Sequence, residues 1–258
     1  MSVLASPKSH KDRDFTQVQV INRAASILRA IRISGGLTLS QLAREVGLAR
    51  TTVYRIVSTL ESEGLLTTQT PDGKIQLGIE LIPLGAAVRT DVRRELRPYL
   101  EELSLTLDET VDLAILDKDH VLFLDQIVKL HRLHAVSGVG LEFPLHCTAN
   151  GKALLSTFTY DEFRRVIPDR LQKFTPNTIS TRDQLSSELE TVRQEGIAYD
   201  REEHTQGICA VGAVVYAPTD TLVAISIPVP SVRFYGNEGK LASKLLQICQ
   251  MINARYQP

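Results

Sequence analysis

Residues 39–66 read LSQLAREVGLARTTVYRIVSTLESEGLL, and the rest of the chain is organised around them. Leu39, Leu42, Ala43 and Val46 recur at helical spacing, so the first part predicts a helix with one apolar face. Thr38 followed three residues later by Gln41 fits a capping box that satisfies the first free N–H groups of that helix. Gly47 supplies the left-handed turn that stops it. A second helix begins near Arg50 and turns Val53, Ile56, Val57 and Leu60 inward. Arg50, Thr51, Thr52, Tyr54, Arg55 and Ser58 are left on the outer face.

Such a face suits the DNA major groove. Arginine pairs bidentately with guanine O6 and N7, and Ser and Thr bond to phosphates or base edges. A small residue at the bend and a first helix resting across the backbone complete helix-turn-helix geometry. An ordinary helical hairpin with a solvated outer face has the same local pattern, so the neighbouring segments decide. Downstream, TTQTPDGKIQLG (67–78) sets a Pro71-Asp72-Gly73 turn between two extended arms, which predicts a hairpin wing with Lys74 near its tip. Upstream, Ile21, Ala24, Ala25, Ile27, Leu28 and Ile31 predict the helix that packs behind the pair. The expected DNA contacts are Thr38, Ser40, Arg50, Thr51, Thr52, Tyr54, Arg55 and Lys74.

Over nearly its whole length the chain resembles the IclR-type transcriptional regulators. The words that carry the likeness are INRAASILRAI (21–31), the stretch quoted above and IQLGIELIPLG (75–85). In the second half they are ETVDLAILDKDHVLFLDQI (109–127), PLHCTANGKALLS (144–156), VRQEGIAYDREEHTQGICAVGAVV (192–215) and VAISIPVP (223–230). Ala49 departs from the family, which commonly has Pro or Ser there; the loss of a preferred cap costs about 1 kcal/mol.

A length of 258 residues permits two compact domains. Residues 1–90 carry 11 Lys and Arg against 7 Asp and Glu, and the remainder carries 18 against 23. A mildly basic head on an acidic body suits a DNA reader attached to something else, though the imbalance is small. No run approaches the ~20 apolar residues of a membrane span, no signal peptide is visible, and the three cysteines form no disulfide framework, so a cytoplasmic protein is expected. Residues 1–17 are polar and aperiodic and are expected to form a disordered arm.

Beyond the wing, Leu77–Thr90 reads as a helix with Leu81, Leu84 and Val88 on one stripe, either domain core or a dimer seam. The resemblance makes it a linker that pairs subunits. Another helix from about Val92 turns Leu96, Leu100, Leu103 and Leu107 inward, with Pro98 early enough to be tolerated. From Thr110 the period changes to that of strands: TVDLAIL and VLFLDQIV flank a turn at residues 117–120, and Leu133–Val136 is a further run before the Gly138/Gly140 loop. ICAVGAVVYAP and LVAISIPVP form a later hairpin about Thr219-Asp220. Helices are expected near 151–158, 161–166, 182–194 and 239–256. The class is therefore α+β: an N-terminal winged helix-turn-helix domain (18–78), a linker helix (79–91), and a C-terminal domain (92–258) with a mainly antiparallel sheet flanked by helices. By resemblance this last domain is GAF-like and binds an effector.

In the second domain, Thr148-Ala149-Asn150-Gly151 opens directly onto a helix, where free N–H groups offer a seat for a carboxylate. The family's effector-touching positions map onto Ala149, Asn150, Gly151, Asp200, Cys209, Ala210 and Ser226. A Cys or Ser commonly aligns with Ala210, whereas here the thiol lies one residue earlier. In a strand that offset points Cys209 to the opposite face, which leaves its place in the pocket open. Pro228 likewise replaces a small hydroxyl residue, so the effector is expected to be less polar than a small keto acid.

The competing reading is a small-molecule enzyme or carrier whose first domain contacts protein, with a thiol or metal site near Cys147, His204 and Cys209. Against it, Asn150-Gly151-Lys152 lacks the upstream Gly and following Ser or Thr of a phosphate loop, and the Cys and His residues lack ligand spacing. Glu202-Glu203-His204 reads as a solvated turn, and Asp112 and Asp125 as exposed strand residues. The expectation is a non-enzymatic regulator without cofactor, metal ligands or catalytic residues. Its partners would be double-stranded operator DNA, a small organic-acid effector and further copies of itself, as a homodimer or dimer of dimers.

Overall fold

The computed structural model describes residues 18–87, 91–131, 137–218 and 221–256, and the chain divides into two compact units with the boundary after residue 89. The expected arm (1–17), the run Leu133–Val136, Val88 and the Thr219-Asp220 turn lie outside the described residues.

The first unit starts with α1 (Gln19–Ser34), α2 (Leu39–Glu45) and α3 (Arg50–Ser62). Both halves of the predicted capping box are present: the Gln41 N–H donates to Thr38 Oγ1 and the Thr38 N–H donates to Gln41 Oε1 at 2.9 Å. Gly47 follows α2 with a left-handed φ of 64°, which no branched side chain adopts cheaply. Ala49 caps α3 without any side-chain hydrogen bond. Ile27 and Ile31 of α1 meet Leu42, Val53, Ile56, Val57 and Leu60 in one core, each fully buried side chain contributing about 1.5–3 kcal/mol. Ile21 does not join them. It is 63 % exposed, because α1 begins at Gln19 and its first turn overhangs the core.

The wing pairs β1 (Leu66–Thr67) with β2 (Gln76–Leu77), two residues each, and a bridge from Leu37 to Ile75 adds a third backbone contact. Leu77 is therefore in a strand rather than a helix. The following helix, α4, spans only Leu81–Ala87, with Ile82 and Leu84 exposed.

The second unit contains α5 (Asp91–Leu107), β3 (Val111–Asp117), β4 (His120–Ile127), β5 (Glu142–Pro144), α6 (Ala149–Leu155), α7 (Tyr160–Val166), α8 (Arg182–Glu195), β6 (Ala198–Arg201), β7 (Ile208–Ala217), β8 (Thr221–Pro230), α9 (Ser231–Phe234) and α10 (Glu238–Tyr256). Its sheet runs β5-β4-β3-β8-β7-β6 with every pair antiparallel, in line with the expected α+β class. Pro98 sits beyond the first turn of α5, later than expected, and the helix continues through it.

Alternation sorts the strands between two layers. Leu113, Cys209, Val211, Ala213, Ile225 and Ile227 share a core with Leu96, Leu100 and Leu103 of α5 and Leu245 and Ile248 of α10. Ala114, Ala198 and Ala224 share the opposite core with Ala153 and Leu154 of α6 and Leu185 and Leu189 of α8. These even-numbered positions are small, which lets α6 lie close to the sheet. Asp125 is buried, not exposed: Arg97 Nη1 reaches both its carboxylate oxygens at 3.0 Å from α5.

Candidate functional site

In the first unit, α3 presents Arg50, Thr51, Tyr54, Arg55 and Ser58 to solvent, with Thr52 half-buried. Neither arginine is ion-paired among the described residues, so both guanidiniums stand ready for an outside acceptor. The helix beneath is held by four buried side chains at the expected positions. Ser40 is exposed on α2. Thr38 and Lys74 are less available. The Thr38 hydroxyl donates to Gln41 Oε1 at 2.8 Å, and Lys74 is paired with Asp72 at 3.1 Å. That exposed pair is worth little, and a phosphate would compete with it readily.

In the second unit, a cavity of about 230 Å³ lies between the sheet and the start of α6. Asp112, Asp200, Ala210, Ser226 and Pro228 face it from β3, β6, β7 and β8, all at even positions. Thr148, Ala149 and Asn150 close one side, and Phe123, Phe143 and His204 form an aromatic wall. The Phe143 and His204 rings stack at 4.5 Å, and Phe123 meets Phe143 edge-on at 5.1 Å. Five of the seven predicted effector residues thus line one cavity. Gly151 and Cys209 do not. A Cβ on Gly151 would lie 2.2 Å from the Leu145 carbonyl oxygen, so this glycine serves the close approach of chain segments. Cys209 faces α5 and α10, as the one-residue offset requires, and burial pushes its thiol up to about 11.

Asp112, expected on an exposed face, is 1 % exposed. It accepts hydrogen bonds from Gln126 Nε2 and Ser137 Oγ, both at 2.7 Å, and burial raises its pKa to about 6. Asp200 accepts the Glu203 N–H at 2.7 Å, and burial raises it to about 7. Burial also holds His204 below its ordinary value. The amide oxygen of Asn150 is buried without a hydrogen-bond partner. The helix end expected to seat a carboxylate is already capped: the Gly151 N–H donates to Thr148 Oγ1 at 3.2 Å.

The expected solvated turn at residues 202–204 is also corrected. Glu203 is 6 % exposed and accepts from Lys152 Nζ at 2.6 Å; Lys152 is fully buried and also donates to Glu188 at 3.1 Å. Burial raises the Glu203 pKa against the pull of Lys152. Sequence reasoning missed Lys152 because its partners are 36 and 51 residues away. Nothing here activates a thiol. Burial raises Cys147 far above the usual thiol range, and His146 Nε2 is bonded to the Gln172 carbonyl oxygen at 2.9 Å. Among the described residues no group of His, Cys, Asp and Glu is arranged to hold a metal ion.

Residues 20–70 match the IclR helix-turn-helix domain and residues 84–254 match the bacterial transcriptional regulator IclR C-terminal domain. The HTH-type transcriptional regulator Rv1719 of Mycobacterium tuberculosis is 48% identical over 240 residues, 93% of each chain. Among solved structures, a transcriptional regulator from Alicyclobacillus acidocaldarius is 26% identical with a TM-score of 0.79, covering 92% of this chain and 98% of that one. An IclR homolog from Microbacterium hydrocarbonoxydans, complexed with 4-hydroxybenzoate, is 20% identical with a TM-score of 0.78 and covers 91% of this chain and 98% of that one, a likeness of fold.

Proposed function

The chain belongs to the IclR family of bacterial transcriptional regulators, and on that premise we propose that it reads a palindromic operator with α3 under the control of a small molecule seated in the second unit. The observation that carries the DNA half is the unpaired Arg50 and Arg55 beside exposed hydroxyls on a rigidly buried helix. We assign residues 18–78 to DNA binding, 79–91 to the linker and 92–258 to a GAF-like effector domain. One such small unit touches few phosphates. Pairing two copies on a two-fold operator multiplies affinity through effective concentration, so the working form is a dimer or a dimer of dimers. No helix among the described residues is long and apolar enough to cross a membrane, in keeping with work in the cytoplasm.

The effector half rests on the cavity, whose aromatic wall and convergent polar groups have the make-up of a small-molecule site. The neighbour holding 4-hydroxybenzoate supports a ring-sized occupant. Occupation would shift the reachable operator geometry by a coupling of about 1–3 kcal/mol.

The test is a gel shift with the gene's own upstream DNA over a salt series. Binding should weaken steeply with salt, as counterion release demands. Arg50→Ala and Arg55→Ala should each weaken it further, by about 1–3 kcal/mol and with relaxed specificity where a base contact is lost. If both variants bind like the parent, α3 is not the reading element.

A further inference from the structure

We propose that the cavity is built for a ring-bearing organic cation, a protonated amine whose ammonium group pairs with Asp200. This deepens the effector reading and rests on it.

Asp200 supplies the counter-ion. It is 6 % exposed and faces the cavity from β6. One of its oxygens takes the Glu203 N–H at 2.7 Å, which orients the carboxylate. An ionised carboxylate offers about four lone-pair sites, so further donors can be accommodated. The lysine whose charge acts on Asp200, Lys152 of α6, is bonded instead to Glu203 and Glu188, so it is shared among three carboxylates. Burial raises Asp200 to about 7, which means that its charge sits at a cost in the folded protein before any ligand arrives. An ammonium group relieves that cost, a hydroxyl does so only in part, and a carboxylate adds to it.

Asp112 reinforces the sign of the field without being a free partner. It lines the same cavity, and its two oxygens already accept from Gln126 and Ser137. Residues 132–136, with Arg132 and His134, adjoin Ser137 in sequence and lie outside the described residues, so an anionic probe is part of the test.

The remaining walls suit the body of such a ligand. Phe123 and Phe143 offer ring surface, to which cations are attracted, and Ala149, Ile208, Ala210 and Pro228 are apolar. A cavity of about 150 Å³ suffices for benzene, so the 230 Å³ here holds one substituted ring.

Titration calorimetry on the full chain at pH 7.5 with 4-methylbenzylamine, 4-methylbenzyl alcohol and 4-methylbenzoate tests the proposal. The amine should bind at least about tenfold more tightly than the alcohol or the acid, the scale of a hydrogen bond to a charged group. Asp200→Asn retains an acceptor for the Glu203 N–H and should erase the preference for amine over alcohol. A second reading needs no variant. The titratable groups around Asp200 are Lys152, Glu203 and His204, with the thiols of Cys147 and Cys209. Protonation of Asp200, Glu203 or His204 removes negative or adds positive charge, so amine affinity should fall by about tenfold from pH 8 to pH 6 while that of the alcohol holds. Alcohol or acid binding as tightly as the amine, binding of none of the three, an amine preference that survives Asp200→Asn, or an amine affinity flat across that range would overturn the proposal. A gel shift with the same compounds separates this from the effector reading. An amine that binds but leaves operator affinity untouched defeats the effector reading alone, and an acid that binds best and shifts operator affinity defeats the ligand class alone.

Discussion

Replacing Lys152 with Met removes the one cation from a buried charge cluster while keeping much of the volume. Lys152 is fully buried, so its ammonium exists there only because Glu203 at 2.6 Å and Glu188 at 3.1 Å compensate it. Glu188 is about one-third exposed and can turn to water, so its loss counts for little. Glu203 cannot. Its side chain is 8 % exposed, and its second carboxylate oxygen already lacks a partner. Breaking a buried pair from one side costs about 3–5 kcal/mol. For a cooperative unit of this size, each kcal/mol lowers Tm by about 2–4 °C, so the variant should melt about 6–20 °C below the parent.

The deficit should depend on pH in a stated direction. Burial already raises the Glu203 pKa, and removing Lys152 takes away the group that opposes this. A carboxyl whose folded pKa lies above its unfolded value adds stability fully at low pH, and that contribution is lost as pH rises through the folded pKa. The gap between Lys152→Met and the parent should therefore be widest near pH 8 and close toward pH 5. Lys152→Met combined with Glu203→Gln should recover part of the loss, since the stranded charge is gone. Urea and thermal melts of the three proteins at both pH values decide the matter. A deficit below about 1 kcal/mol, or a double variant no better than Lys152→Met, would refute the idea that Lys152 holds this corner together.

Asp112, buried with a pKa raised to about 6, predicts that the protein itself loses stability as pH climbs from about 4 toward 6, by up to about 3 kcal/mol from this group. Asp112→Asn should flatten that slope in a pH series of urea melts; an unchanged slope would count against it. Ala49→Ser should supply the side-chain cap that α3 lacks and raise stability by about 0.5–2 kcal/mol, read as a shift in the urea midpoint at constant slope.

What could be read from the chain beforehand was whatever depends on near neighbours. The Thr38–Gln41 box, the Gly47 stop and the buried face of α3 follow from spacings of three and four residues, and each stands where spacing puts it. Cys209 shows the same logic in a strand: period 2 predicts the wrong face for a pocket, and the thiol does point to the α5 and α10 side. Ile21 shows where periodicity fails, because a repeating apolar pattern does not say where the partner surface ends.

The acidic residues show what near-neighbour reasoning left hidden. By composition Asp112, Asp125 and Glu203 belong on the surface, and each is buried because a partner arrives from far along the chain: Ser137 and Gln126 for Asp112, Arg97 for Asp125, Lys152 for Glu203. Only the assembled sheet brings those partners within reach. The consequence is functional as well as structural. Lys152 fixes Glu203, and the Glu203 N–H donates to Asp200, which faces the cavity. The acid that a ligand meets is thus positioned by an ion pair outside the cavity, so a change at Lys152 should alter ligand preference as well as stability.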